Sequence, residues 1–365
     1  MMLKVLFSCL LFSTLLHAKT PPLEDMIAQM IIIGFDGLKE GDKWVDQIAK
    51  DIKREKIGGV FLTDKNIQNA AQLKKLNEYL KAQAPKELPL IVAVEHEGGD
   101  KTVFEAKKGF SEIPSAYELF KNKDISETEL LYQKLSSDLA KSGINVNFAP
   151  VLDLQPKKDV YESTKLQRSY SSYEEIVTTY AMLFINALYA EGVMPVVKYF
   201  PTAGANLWNN FSSEEDVTNT WRFEQLKPYY DLIAFGKMDA VLMSHVMHKE
   251  IDPKNPTLFS KLVIQGLLRD KMHFDGVVFA DNLRTNSIAN GVDFKQRVIR
   301  SIDAGADILV FTNYFADSAS MPFTVHKIIT DAIKSGELSV ERIALSYERI
   351  VSFKQKLSKR GSHVN

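Results

Sequence analysis

The chain has 365 residues, a formal net charge of −1, 45% hydrophobic and 25% charged residues, which is ordinary for a soluble globular protein and enough to bury a large core without staples. Balanced charge excludes a global field that would recruit nucleic acid or an anionic membrane. The single cysteine, Cys9, excludes a disulfide framework.

Residues 1–18 read as a secretory signal peptide. Lys4 supplies a short positive region, Val5 to Leu16 form an apolar run, and Leu16 and Ala18 stand at the usual cleavage positions. The run is too short to span a bilayer. The expectation is cleavage after Ala18, no stable membrane insertion, and a periplasmic or secreted chain of residues 19–365. Cys9 would leave with the leader. The mature chain would then hold no thiol for a zinc site or a nucleophile, and no metal or other cofactor is expected.

Eight short apolar segments follow in order: Met30 to Phe35, Ile57 to Thr63, Leu88 to Glu95, Ile144 to Pro150, Val193 to Phe200, Asp239 to Val246, Asp275 to Asn282 and Ala306 to Asn313. Most are continuous apolar runs, the pattern of parallel strands buried on both faces. Amphipathic stretches of helical length separate them. They run Asp42 to Glu55, Gln68 to Leu80, Ser126 to Ser142, Tyr173 to Glu191, Arg222 to Gly236, Ser260 to His273, Asp293 to Gly305 and Val325 to Ser335. A last helix, Ser339 to Leu357, is expected outside the ring. Gly143, Gly192 and Gly305 end helices just before strands. No repeat or interdomain linker interrupts the series. Eight strand–helix alternations predict a single-domain (β/α)8 TIM barrel, with reactive side chains at the C-terminal ends of its strands. The long polar loop from Asp153 to Ser171 is expected to cover a mouth of the barrel.

Polar residues collect at those strand ends. Glu95, His96 and Glu97 close the third segment, Asp153 follows the fourth, Lys198 lies in the fifth, His245 in the sixth and Asp281 in the seventh, while Arg168 belongs to the loop after the fourth. A barrel would bring them to one cleft of carboxylates and cations. Paired carboxylates in such a cleft suit glycoside hydrolysis.

The strings themselves resemble the single-domain β-N-acetylhexosaminidases of glycoside hydrolase family 3. Glu95-His96-Glu97-Gly98-Gly99 is similar to that family's Asp-Gln-Glu-Gly-Gly segment, and Asn147-Phe148-Ala149-Pro150-Val151-Leu152-Asp153 matches it almost literally. Arg168-Ser169-Tyr170, Lys198-Tyr199-Phe200-Pro201, Ser244-His245-Val246 and Ala280-Asp281-Asn282-Leu283 continue the match in order, from about Met26 to Leu357. The resemblance implies a retaining mechanism with Asp281 as the catalytic nucleophile and Glu95, Arg168, Lys198 and His245 binding substrate. It implies a glycan ligand with N-acetylglucosamine units, such as peptidoglycan.

The resemblance also fails at defined places. The family's proton-transfer loop runs Lys-His-Phe-Pro-Gly-His-Gly and ends Asp-Ser-His. Here Lys198-Tyr199-Phe200-Pro201-Thr202-Ala203-Gly204 leads to Asn209-Asn210-Phe211, so Asn209 replaces the orienting aspartate and Phe211 the catalytic histidine. Asp100 and Val103 replace two arginines, Glu95 an aspartate and Tyr199 a histidine. Two readings follow. One is an active hydrolase with a replacement acid among Glu214, Glu215 and Asp216. The other is a pseudoenzyme kept as a glycan-binding or scaffold module, with a cell-envelope protein as partner.

Overall fold

The computed structural model describes residues 21–100, 102–155, 167–204, 215–284, 291–312 and 321–361. Residues 1–18, with the expected leader, and Asn209, Phe211 and Glu214 lie outside the described residues. All nine strand segments are parallel: β1 (Ile31–Gly34), β2 (Gly59–Phe61), β3 (Ile91–Val94), β4 (Val146–Asn147), β5 (Met194–Pro195), β6 (Val197–Phe200), β7 (Ala240–Met243), β8 (Val277–Ala280) and β9 (Ile308–Phe311). Their order is β5-β4-β3-β2-β1-β9-β8-β7-β6. The two ends of that order meet, because β5 and β6 are halves of one strand interrupted at Val196. The chain beyond β4 also joins β6: the Lys198 amide donates to the Pro150 carbonyl at 3.0 Å, and the Leu152 amide donates to the Lys198 carbonyl at 2.8 Å. The sheet is therefore an eight-membered ring, and each predicted strand contains an observed one.

Strand residues are almost wholly buried, as a ring with side chains inside and helices outside requires. Phe61, Phe148 and Phe279 come from distant strands yet meet inside: Phe148 lies 5.4 Å from Phe61 and 5.1 Å from Phe279, between ring centroids. They form an apolar floor in the barrel.

The predicted helices appear with shifts of a few residues at their ends. The stretch Arg222 to Gly236 breaks into a tight turn, Phe223–Leu226, and a helix, Lys227–Ala234. Pro228 in the first turn of that helix explains the break, since a proline starts a helix readily but cannot donate within one. The stretch Ser260 to His273 is wound wider than an α-helix over Leu262–Lys271. Two helices had no counterpart in the sequence pattern, Leu23–Gln29 and Ala116–Asn122. Each spans only two turns, too short to display a period. Ala116–Asn122 nevertheless carries a legible capping box, with Ser115 and Glu118 bonded reciprocally.

The last helix, Val340–Gly361, packs against Leu23–Gln29 and β8. Its Lys354, fully buried, donates to the Gln29 side chain at 2.6 Å and to the Gly58 carbonyl at 2.8 Å. Gly58 immediately precedes β2, so this helix seals the N-terminal end of the ring and leaves the C-terminal end open for chemistry.

Candidate active site

Residues Glu95, Lys198, His245 and Asp281 all stand at the C-terminal ends of strands: after β3, within β6, after β7 and after β8. The fold delivers them to one rim, as the alternation of strands and helices implies. Arg168 arrives differently, from the loop after β4. Gln167 beside it adopts a left-handed backbone, φ 41°. The Tyr117 amide bonds its carbonyl at 3.2 Å, and Ser115 Oγ donates to its Oε1 at 3.2 Å.

Three of the five predicted site residues, Glu95, Arg168 and Lys198, form one ionic cluster with a fourth member, Glu97. Lys198 Nζ lies 2.5 Å from Glu95 Oε1 and also reaches Glu97 Oε1. Arg168 grips Glu97 with two donors, Nε to Oε2 at 2.8 Å and Nη2 to Oε1 at 2.5 Å, and reaches Glu95 Oε1 at 3.3 Å. Such a bidentate pairing fixes direction as well as charge. Two cations thus face two carboxylates. Side-chain exposure is 0% for Lys198, 2% for Arg168 and 9% for Glu97, but 38% for Glu95. Within the cluster Glu95 is the carboxylate open to a ligand; Lys198 and Arg168 brace it, and Glu97 balances their charge from behind.

Burial works against charge on Glu97, but Arg168 and Lys198 outweigh it and hold the carboxyl below its usual range. Burial likewise opposes charge on Arg168, and Glu97 leads the groups that keep it firmly protonated. Tyr199 joins the cluster: its hydroxyl donates to Glu95 Oε1 at 3.2 Å and accepts from Arg168 Nη2 at 3.0 Å. Burial, opposed by Arg168, raises that phenol well above its usual value, so Tyr199 stays neutral.

Glu97 and Tyr199 are site residues that the sequence argument named, one at the end of the third segment and one in place of a histidine, without giving either a role in the site. Strand periodicity carried a signal for the first: residues two apart share a face, so Glu97 follows Glu95 toward the mouth. Between them His96 faces away, with Nδ1 2.7 Å from Thr102 Oγ1 and its ring against Phe104. Burial lowers its pKa to about 3. Tyr199 could not be found by alternation. The pairing of β6 with β7 slips between Lys198 and Phe200, and this bulge lets Lys198 and Tyr199, adjacent in sequence, reach one cluster.

The second group is Asp281 with His245. His245 Nε2 lies 3.3 Å from Asp281 Oδ2, and the Asn282 amide donates to Asp281 Oδ1 at 2.7 Å. Asp281 has 27% of its side chain exposed against 5% for His245. The arrangement is a carboxylate held by one backbone amide, with the His245 ring beside it and part of its surface open, as a nucleophile needs. The charge of Asp281 is felt by the Tyr199 phenol, which links the two groups across the mouth.

Asp153 plays a supporting part. Buried behind the rim, its Oδ1 accepts from Thr202 Oγ1 and, at 2.9 Å, from the Ala203 amide. These follow Pro201 at the start of the loop leaving β6. Burial raises its pKa to about 6 against the bonds from Thr202 and Ala203. Beside Glu95 opens a cleft of about 230 Å³ lined by Thr63, Asp64, Asp100 and Val103. Asp100 and Val103, the positions of the two exchanged arginines, therefore front the site directly. Among the described residues no group of three or more His, Cys, Asp or Glu could hold a metal ion, and no helix is long and apolar enough to cross a membrane.

A closed parallel barrel with a cation-braced carboxylate and an open, oriented aspartate on its C-terminal rim defines the class of (β/α)8-barrel glycosidases. The chain belongs to glycosyl hydrolase family 3, whose N-terminal domain model matches residues 22–353. It is similar to the beta-hexosaminidase of Tolumonas auensis, 31% identical over 276 residues, or 74% of this chain and 80% of that one. The beta-hexosaminidase of Idiomarina loihiensis is 31% identical over 264 residues, 70% of this chain and 77% of that one. By these relatives the chain is of the family's β-N-acetylhexosaminidase type. Among solved structures, the glycoside hydrolase family 3 beta-N-acetylglucosaminidase of Paenibacillus sp. str. FPU-7 superposes with a TM-score of 0.81 at 28% identity, over 93% of this chain and 63% of that longer one. The Beutenbergia cavernae Beta-N-acetylhexosaminidase superposes with a TM-score of 0.79 at 24% identity, over 92% and 99% of the two chains, a likeness of fold.

Proposed function

We propose that the protein is a retaining glycosidase that cleaves β-linked N-acetylglucosaminides, with Asp281 as nucleophile and Glu95 binding sugar hydroxyls under the hold of Arg168, Lys198 and Tyr199. His245 orients Asp281. The names of the relatives support the substrate class, and the leader-like residues 1–18 support action on peptidoglycan in the periplasm or outside the cell. The observation that carries the reading is the part-open Asp281 carboxylate, held by the Asn282 amide with His245 Nε2 3.3 Å away, on the rim that holds the cation-braced Glu95.

An aryl β-N-acetylglucosaminide with an acidic phenol tests this without depending on a proton donor, since such a leaving group departs unaided. A burst of phenol and a covalent glycosyl adduct by intact mass are expected, and Asp281→Asn should abolish both. No phenol, no adduct and no measurable sugar binding would overturn the reading and leave the barrel as a binding or scaffold module. Export has its own test: the native protein should begin near Lys19, and an intact Met1 in the cytosolic fraction would defeat it.

A further inference from the structure

The cleft beside Glu95 carries charge of one sign. Its charged walls are Asp64, Asp100 and Glu95 itself, and among the described residues no cation lines it. Asp64 opens the tight turn Asp64–Asn66 after β2, and Asp100 follows Gly98 and Gly99 after β3. Since β2 pairs with β3, both acids arrive on one side of the mouth. Lys65, the cation next to Asp64 in sequence, reaches Asp36 Oδ1 at 3.4 Å. In the mouth as a whole, the two cations Lys198 and Arg168 face five carboxylates: Glu95, Glu97, Asp64, Asp100 and Asp281. Asp100 and Val103 stand where the resembled family has arginines, so the groups that would pair with an anionic substituent are exchanged for an acid and an apolar side chain.

The acidic character continues beyond the cleft. Asp100 and Thr102 also line a groove of about 900 Å³, walled by Glu105, Glu112 and Glu118 and by Leu130 and Lys134 of the helix Ile125–Lys141. Five carboxylates and two lysines line that groove. Asp64 and Asp100 are exposed, so water screens them until a sugar fills the cleft. A bound sugar displaces that water and lowers the screening. A negative substituent held beside Glu95 would then meet like charge at short range, which costs affinity and rejects the wrong partner. A hydroxyl or acetamido group meets no such repulsion and can donate to the same carboxylates.

Resting on the glycosidase reading above, we propose that Asp64 and Asp100 are specificity-determining residues that restrict the protein to glycan segments uncharged beside Glu95 and reject those bearing a carboxylate or sulfate there. Within peptidoglycan, muramic acid qualifies when its lactyl carboxyl is amidated by peptide and is refused when that carboxyl is free.

The test uses the full chain and two pairs of ligands, the members of each similar in size and different in charge. The first pair is the dinitrophenyl β-N-acetylglucosaminide with a 6-O-sulfate or a 6-O-methyl group, compared by kcat/KM. The second is the N-acetylglucosaminyl-muramic acid disaccharide with its lactyl carboxylate free or as the methyl amide, compared by Kd in calorimetry. In whichever pair sets its charge beside Glu95, the anionic member should be worse by about tenfold. The double variant Asp64→Asn, Asp100→Asn should close most of that gap, as should raised salt, and Asp100→Arg should reverse it. Equal values within both pairs would overturn the proposal. So would a gap that survives both the double variant and salt, which marks exclusion by shape. A parent protein that releases no phenol from the neutral aryl glycoside would defeat the glycosidase reading, and the disaccharide affinities then decide the charge selection by themselves.

Discussion

At the scale of single residues, the site is a problem in holding charge away from water. Lys198 and Arg168 are buried cations, and Glu97 is their buried counter-charge. Removing one member strands the others, which typically costs about 3–5 kcal/mol. Glu97→Gln should therefore lower stability by about that much in urea unfolding. Glu95→Gln, at the exposed edge of the cluster, should cost far less stability and appear mainly as weaker sugar binding. Two buried groups, His96 and Asp153, set opposed pH dependences. His96 has its pKa lowered to about 3 by burial, from an ordinary 6.5. The unfolded chain takes up a proton there that the folded chain refuses, so stability falls as pH drops from 6.5 toward 3. Asp153 is raised by burial from an ordinary 3.8 to about 6. The folded chain keeps a proton that the unfolded chain releases, so stability is fullest below 3.8 and falls as pH rises through 6. The two slopes offset each other between pH 3.8 and 6, each at most about 1.4 kcal/mol per pH unit. Relative to the parent protein, His96→Gln should tilt urea-unfolding stability downward with rising pH in that window, and Asp153→Asn should tilt it upward. Unchanged slopes in both variants would show that neither group is shifted.

At the scale of elements, the ring depends on how closely its strands and loops approach. A Cβ on Gly276, at the start of β8, would stand 2.3 Å from the Asp239 carbonyl at the start of β7. Backbone must move to admit it, so Gly276→Ala should destabilise by about 1–3 kcal/mol and lower the Tm. Gly266, inside the wide helix Leu262–Lys271, has nothing within 4 Å of its Cβ position. There the same substitution should stabilise by about 0.5–1 kcal/mol, since glycine weakens a helix interior. Calorimetry on the two variants reads both signs. Element type was legible from apolar runs and helical periods because both register which faces are buried. Boundaries at Pro228, the widened helix and the two short helices depend on local hydrogen bonding that a hydrophobic pattern does not record.

At the scale of the molecule, the two ends of the barrel do separate work. The N-terminal end is closed by charge pairing around Asp307, fully buried just before β9. Asp307 accepts from Arg269 Nη2 and Arg342 Nη2, both at 2.8 Å, from Ser346 Oγ at 2.8 Å and from Arg349 at 3.4 Å. Burial brings Arg269 down to about 10 despite Asp307 beside it, so the pair is under strain from desolvation. This one carboxylate joins the last helix to β9 and to the helix before β8. Asp307→Asn should lower global stability by about 3–5 kcal/mol, seen as one cooperative transition at lower temperature. Turnover per folded molecule should hold, because the chemistry lies at the opposite rim.

The sequence by itself determined the eight-fold alternation, the family and the residues Glu95, Lys198, His245 and Asp281 on one rim. Parallel strands buried on both faces leave continuous apolar runs, and a barrel puts every strand end that points one way on the same side. Only the tertiary structure decided which of those residues touch. Arg168 reaches Glu97 through a left-handed turn at Gln167, and Tyr199 enters the cluster through a bulge. Glu215 is set over Gly204 by a pairing with Met247, 32 positions further along the chain. Such contacts arise from ring closure between segments distant in sequence, and a charge written in a string does not say which other charge will lie opposite it.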